Sequence, residues 1–357
     1  MLDLKMLIRQ SAGRIVRHAM RFPGFTRSYP INHFNIILMY HRVLDSPPEG
    51  FHESALHVSA ETFEMHLCEA ARVFRMVSLE KLIRPGSHES AKMPLCAVTF
   101  DDGWDDTYRV AFPILRKHNV PATVFVPSNL IENGSGFWFE GLVNLANKTV
   151  ENGTISTFLQ YFHRLVADWN PTALSPESLS DLISRLKELP GERLPSLVSK
   201  AYTELGFALG TTSPTIGWED MREMSNQGIS FGSHGSNHLI LTTLTSTLKR
   251  QEIFSSLKTM RSKGIKLIPV FSFPNGNWDA ESVKYLKDAG YLAAVTTRLG
   301  FNTSATCCFL LNRIGLHEYI SRTPDLFWFC VLQSILAGPK SLRRKDGQLS
   351  CRPQSFS

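Results

Sequence analysis

Two carboxylates, Asp101 and Asp102, stand side by side at the end of an apolar run that begins near Leu95, and Gly103 follows them. Adjacent acids are costly unless a cation or a proton sits between them, so the pair suits metal binding or proton transfer. Successive strand residues face opposite sides, so both acids serve one pocket only where the strand frays into a loop. The glycine permits such a turn. The structural alternative is a helix start decorated with acids, because Asp105 and Asp106 follow and suit the helix dipole. His234 and His238 are spaced by four, which places both imidazoles on one side of a helical turn. Two imidazoles plus one carboxylate make a facial ligand set with positions left open for water and substrate, as in catalytic zinc and related divalent sites. An isolated HxxxH pair is more often two surface histidines. Its place after a Gly-Ser strand end, with Asp-Asp at another strand end, favours the metal. In that reading Asp102 binds the metal and Asp101 serves as general base toward the metal's water.

Strands must carry these residues. Apolar, β-branched runs mark strands at 35–40, 95–100, 122–126, 229–232, 267–273 and 292–297, separated by helical patterns at 61–74, 108–117, 218–227, 245–262 and 280–289. Alternation of strand and helix predicts a mostly parallel sheet. His41, Asp101-Asp102, His234/His238 and Pro274-Asn275-Gly276 each follow a strand directly, and polar chemistry at strand C-termini predicts a distorted (β/α) barrel. Residues 132–217 break the rhythm with helical segments joined by Pro, Ser and Gly, and read as a helical insertion. The division is therefore a basic amphipathic N-terminal helix (1–33), a catalytic domain (34–322) and an apolar helix with a basic tail (323–357).

The 357 residues are 43% hydrophobic and 20% charged, an ordinary globular balance. The net charge of +6 is concentrated at the ends: Lys5, Arg9, Arg14, Arg17, Arg21 and Arg27 early, and Lys340, Arg343, Arg344, Lys345 and Arg352 late. The near-neutral middle argues against a nucleic-acid groove. Six cysteines show no CxxC spacing, which predicts reduced thiols and a cytosolic setting. The N-terminus lacks an uninterrupted h-region, so secretion is not expected. Leu4, Ile8, Ala12, Ile15, Ala19 and Phe22 share one helical face, which suits either an interfacial helix on an anionic membrane, through residues 1–27, or a helix packed on the domain. The apolar run Leu326 to Leu332 allows the same two readings. His33, His52, His57, His66, His118 and His163 lack partner spacing and read as structural or surface residues.

The stretches Thr99-Phe100-Asp101-Asp102-Gly103, Ser233-His234-Gly235-Ser236-Asn237-His238 and Phe273-Pro274-Asn275-Gly276 resemble the ordered motifs of the polysaccharide deacetylases (NodB homology, carbohydrate esterase family 4). The resemblance runs from about Asn35 to His317, interrupted by the insertion. Leu38-Met39-Tyr40-His41-Arg42-Val43 looks like the branch of biofilm poly-N-acetylglucosamine deacetylases. The resemblance implies removal of N-acetyl groups from an amino-sugar polysaccharide or glycolipid, with Zn2+ as first choice of metal and Co2+, Mn2+ or Ni2+ as alternatives. It implies Asp101 as base and Asp102, His234 and His238 as ligands. Backbone N–H groups near Asn275-Gly276 would hold the oxyanion. For the acid that protonates the leaving amine, His41 fits the biofilm branch and His317 the wider family; His41 is preferred, since Glu318 beside His317 suggests a solvated loop. One departure stands out: the third motif often opens with an arginine that orients the base, and here Phe271 and Ser272 stand there. Arg313, at the next strand end, is the candidate replacement.

The same chemistry on an ester would make an O-acetyl esterase, and a catalytically silent sugar-binding module could keep the fold. A two-carboxylate glycosidase is excluded, because adjacent aspartates cannot flank a glycosidic bond at the roughly 5–9.5 Å such enzymes need.

Overall fold

The computed structural model describes residues 2–21, 34–84, 93–209 and 213–338. Runs such as Ile36-Ile37-Leu38-Met39-Tyr40 carry no polar alternation, so they form strands covered on both faces, as parallel sheets require. In chain order the strands are β1 (Ile36–Tyr40), β2 (Arg42–Leu44), β3 (His57–Ser59), β4 (Arg75–Met76) and β5 (Leu95–Phe100). They continue with β6 (Ala122–Val126), β7 (Ser230–Ser233), β8 (Leu267–Ser272), β9 (Ala293–Val295) and β10 (Ile314–Gly315). The main sheet runs β10-β1-β5-β6-β7-β8-β9, all parallel, with β4 beside the start of β5; β2 and β3 pair separately. The sheet curls until its edges meet. Leu311 bridges Val295 in parallel register, and Ile314 pairs with Leu38 of β1. The fold is the expected distorted (β/α) barrel, closed on that side by a single bridge.

Helices Ala60–Ala71, Trp218–Asn226, Ser246–Arg261 and Ala280–Ala289 surround the sheet. The helix expected over 108–117 differs at its start. One π-helical turn, Thr107–Ala111, precedes Phe112–Lys117, and the Phe112 N–H reaches back to the Thr107 carbonyl. Pro113 supplies no N–H at the point where the regular ladder would begin. Tyr40, Phe63, Phe100, Phe231 and Trp328 belong to the main core. Within 132–217 the helices Trp138–Glu151, Ile155–Leu165, Pro176–Leu186 and Leu194–Glu204 close over a core of their own, including Phe158, Phe162, Leu182 and Tyr202, and Trp104 of the barrel inserts into it.

The N-terminal helix, Leu2–Arg21, packs on the last described helix, Pro324–Ala337. In that last helix Phe327, Trp328 and Val331 are fully buried, so of its two readings the core helix is the one observed. Phe22, Arg27, His33, Cys351 and the basic residues from Lys340 onward lie outside the described residues. Cys68, Cys96, Cys308 and Cys330 are free thiols, but Cys307 is disulfide-bonded, which corrects the expectation of reduced thiols throughout. Sequence spacing does not report which thiols a fold brings together.

Candidate metal centre and active site

β5 ends in a sharp turn: Asp102 has φ 75° and Gly103 φ 71°. A non-glycine residue in the left-handed region is strained and persists only where its surroundings fix it. At Gly103 a Cβ would stand 2.7 Å from Val126 Cγ1, so the turn needs glycine. The turn sends both Asp101 and Asp102 into one cavity of about 530 Å³. The helix-start alternative does not describe Asp106. Its carboxylate accepts from Arg42 Nε (2.8 Å) and Val43 N (3.0 Å), tying β2 to the turn.

His234 and His238 do not share a helical turn. They lie in an irregular loop after β7, where Gly235 and His238 both take positive φ (79° and 57°). The loop is held by Glu252 from helix Ser246–Arg261, which accepts from Ser236 N (3.0 Å) and Asn237 N (2.9 Å). Spacing by four therefore converges here through a carboxylate-anchored loop rather than helix geometry.

His234 Nδ1 bonds the Ser272 carbonyl at 2.8 Å. A carbonyl only accepts, so Nδ1 carries the proton and neutral His234 turns its Nε2 lone pair inward. That nitrogen lies 3.5 Å from Asp102 Oδ1, and His238 Nε2 lies 3.2 Å from the same oxygen. Asp102 Oδ2 is taken by Trp104 Nε1 at 3.1 Å, whereas Oδ1 is buried with no hydrogen-bond partner among the described residues. Donor atoms of Asp102, His234 and His238 all lie within 4.8 Å of one another. A buried carboxylate oxygen facing imidazole nitrogens fits a bound cation. Burial pushes the Asp102 carboxyl up, but the two imidazoles outweigh it and hold it well below the ordinary carboxylate range. Burial pushes His234 down, and Asp101 and Asp102 more than offset it; for His238 burial wins.

Asp101 is the better-bonded acid. Arg313, fully buried, donates from Nη1 to Oδ1 (2.7 Å) and from Nη2 to Oδ2 (2.6 Å). The guanidinium is itself fixed by Thr296 O (2.8 Å to Nε), Ser272 Oγ (3.0 Å) and Thr99 Oγ1 (3.3 Å). Ser272 also donates to Asp101 Oδ2 at 3.3 Å. Arg313 thus reaches Asp101 from the segment between Leu311 and β10. Burial raises the Asp101 carboxyl, but Arg313 and then His234 outweigh it and bring it below its usual value.

His41, at the end of β1, and His317, after β10, line the same cavity. Burial lowers both imidazoles; the charges facing His41 include Asp102 and Asp101, whereas those facing His317 are His57 and His41. His317 Nδ1 is buried without a partner among the described residues. Glu318 does not solvate it, because its carboxylate accepts from Ser59 N (2.8 Å) and Thr62 Oγ1 (3.0 Å) at the start of helix Ala60–Ala71. Pro274, Asn275 and Gly276 form a tight turn after β8, with Asn275 at φ 58° on the cavity wall. The Gly276 N–H is committed to Phe273 O at 2.7 Å, so that amide is not a free oxyanion donor.

Sequence reasoning missed several residues. Trp104 bonds Asp102, and Phe137 and Phe139 of the insertion lie 5.1 and 6.1 Å from His238, ring to ring. Trp138, Phe139, Ile183 and Lys187 of the insertion line the cavity. Glu252 left a readable signal, an acid on the stripe Lys249, Glu252, Ile253, Ser256, Leu257, Met260 that faces inward.

Residues 88–294 match the polysaccharide deacetylase family, a span that contains Asp101, Asp102, His234, His238 and Asn275 but not His41, Arg313 or His317. The chain is 22% identical over 289 residues to YxkH of Bacillus subtilis (strain 168), named as a polysaccharide deacetylase, covering 80% of this chain and 72% of that protein. Its fold is similar to that of the Streptococcus pyogenes deacetylase PplD in complex with acetate (TM-score 0.55, 22% identity, 84% of this chain and 97% of the other). It is also similar to that of IcaB from Ammonifex degensii (TM-score 0.51, 17% identity, 84% and 97%).

Proposed function

This chain belongs to the polysaccharide deacetylase family, and from that premise we propose that it is a metal-dependent hydrolase that removes N-acetyl groups from an amino-sugar polysaccharide or glycolipid. Asp102, His234 and His238 hold the metal, and two imidazoles with one carboxylate suit Zn2+. A divalent ion there supplies Lewis acidity toward water and the acetyl carbonyl. Asp101 takes the proton of the attacking water. Arg313 is its positioning residue: the fork fixes the carboxylate plane and keeps it ionised. His41 gives a proton to the departing sugar nitrogen, so that the C–N bond breaks to a neutral amine and acetate. Burial lowers both imidazoles; at His41 the Asp102 and Asp101 carboxylates oppose it while Arg313 and His234 add to it, whereas at His317 the neighbouring His57 and His41 add to it. Of the turn after β8, Asn275 on the cavity wall is the residue left to hold the oxyanion, since the Gly276 N–H is bonded to Phe273 O.

The observation that carries this reading is one cavity holding both an unpaired carboxylate oxygen between two imidazoles and a separate, arginine-held carboxylate. The test is acetate release from N-acetylglucosamine oligomers by zinc- or cobalt-loaded protein, beside Asp101→Asn and His234→Ala. Acetate from the wild type, lost in both variants, is the expected result. Stoichiometric metal without acetate, but with activity on O-acetylated sugars, would replace the amide reading with an esterase. Neither metal nor acetate would leave a sugar-binding module.

A further inference from the structure

The N-terminal helix is amphipathic twice over. Its underside is seated: a Cβ on Gly13 would stand 1.7 Å from the Asp325 carbonyl oxygen, so the two helices touch backbone to backbone there. Arg14 and Arg17 pair with Asp325 at 3.2 and 3.0 Å, Met20 is buried, and Arg9 lies over the Phe329 ring. The opposite side is apolar and uncovered, with Leu4, Leu7, Ile8 and Ile15 exposed by 64%, 58%, 59% and 70%. Apolar residues at this spacing on a solvent face contribute nothing to the fold and cost solubility.

Charge identifies what covers them. Residues 1–27 and 339–357 hold eleven of the chain's 38 Lys and Arg and two of its 32 Asp and Glu, so the body between is slightly acidic. Lys5 and Arg9 are exposed beside the stripe. The helix pair is antiparallel, since Asp325 meets Arg14 and Arg17 while Phe329 meets Arg9. Leu336, 76% exposed, therefore lies toward the Leu4 end, and the sequence beyond Gly338 continues with Lys340, Arg343, Arg344 and Lys345. A second copy on this face would set like charges against each other. No helix among the described residues is long and apolar enough to cross a membrane, so the face suits lying on one.

We infer that the N-terminal helix docks this protein on an anionic phospholipid surface, with Leu4, Leu7, Ile8 and Ile15 in the acyl boundary and the basic residues among the headgroups. The inference stands independently of the deacetylase reading. The test is flotation of the full-length protein with vesicles of equal parts phosphatidylglycerol and phosphatidylcholine, and with phosphatidylcholine alone. The expected result is binding to the anionic vesicles that weakens in high salt. Ile8→Glu/Ile15→Glu should lower affinity more than about tenfold, because two apolar side chains leave the interface. Lys5→Gln and Arg9→Gln should each lower it by about fivefold. Unchanged circular dichroism and unchanged metal binding in the variants show that the fold is intact. Equal binding by wild type and Ile8→Glu/Ile15→Glu, or no flotation at all, would overturn the inference. So would a dimer in light scattering that this variant abolishes without vesicle binding, which assigns the face to a second copy.

Discussion

Removing Arg313 strands a buried charge, and the cost is separable from simple loss of contacts. In Arg313→Met the Asp101 carboxylate, 2% exposed, loses both short bonds to the guanidinium. Breaking one partner of a buried ion pair costs about 3–5 kcal/mol, because the survivor stays buried and uncompensated. The Thr296 carbonyl loses its Nε donor as well, and an unmet buried group costs about 1–3 kcal/mol. Together these come to about 4–8 kcal/mol, and with an unfolding entropy of about 2.1 cal/mol/K per residue they lower the melting temperature by about 5–11 °C for a chain of this length. Adding Asp101→Asn in the same chain removes the stranded charge. The double variant should therefore recover about 1–3 kcal/mol relative to Arg313→Met alone, despite carrying one more substitution. The assay is urea unfolding in the presence of a chelator, so that metal binding does not enter. A double variant as unstable as the sum of the two singles would refute the argument that the ion pair sets the cost.

Glu252→Ala frees the His234–His238 loop from its carboxylate anchor, and zinc affinity in a chelator competition should fall about 10–100-fold, as for other residues that orient ligands. His41→Ala should lower acetate release from an N-acetyl sugar by about 10²–10⁴-fold and spare an O-acetyl ester, whose alkoxide needs less help to leave; equal losses on both would remove His41 from the acid role. His66 is held neutral by burial between Tyr40 Oη (3.2 Å) and the Ser321 carbonyl (2.8 Å), which lowers its pKa from 6.5 to about 4. Its neutral form is preferred in the folded state, so its contribution is complete above pH 6.5 and is lost as pH falls toward 4, amounting to about 3 kcal/mol across that window. Urea unfolding at pH 7 and pH 4 for wild type and His66→Gln should show the variant lacking that share of the pH dependence.

The barrel was legible because strand and helix patterns alternate and because the unusual residues cluster at strand ends. Asp101-Asp102-Gly103 announced a turn through the glycine. The left-handed backbone at Asp102 and His238 was not legible, since positive φ, although enriched for Asp and His, remains a minority conformation of either residue. The helical-turn reading of His234 and His238 failed for that reason: spacing cannot tell a helix from a loop folded around a buried glutamate 15 residues away. Trp104 and Phe137 escaped notice because an aromatic residue reads as core, which both also are. Arg313 could be suspected from a missing motif arginine, but its bidentate contact depends on where the sheet closes.

Asp101 and Arg313 are 212 residues apart in the chain. At about 5–20 residues per second, a ribosome needs roughly 10–40 s to deliver the arginine after the aspartate. Through that interval, sealing the β5 end would bury the Asp101 carboxyl without its guanidinium, either as a costly bare anion or in its protonated form. The segment Leu311 to Gly315 then does two things at one moment: it joins β9 to β1, and it neutralises Asp101. Completion of the candidate site thus waits for the last strand. A chain cut before Leu311 would possess Asp102, His234 and His238, the candidate metal ligands, and yet lack a finished vessel to hold them.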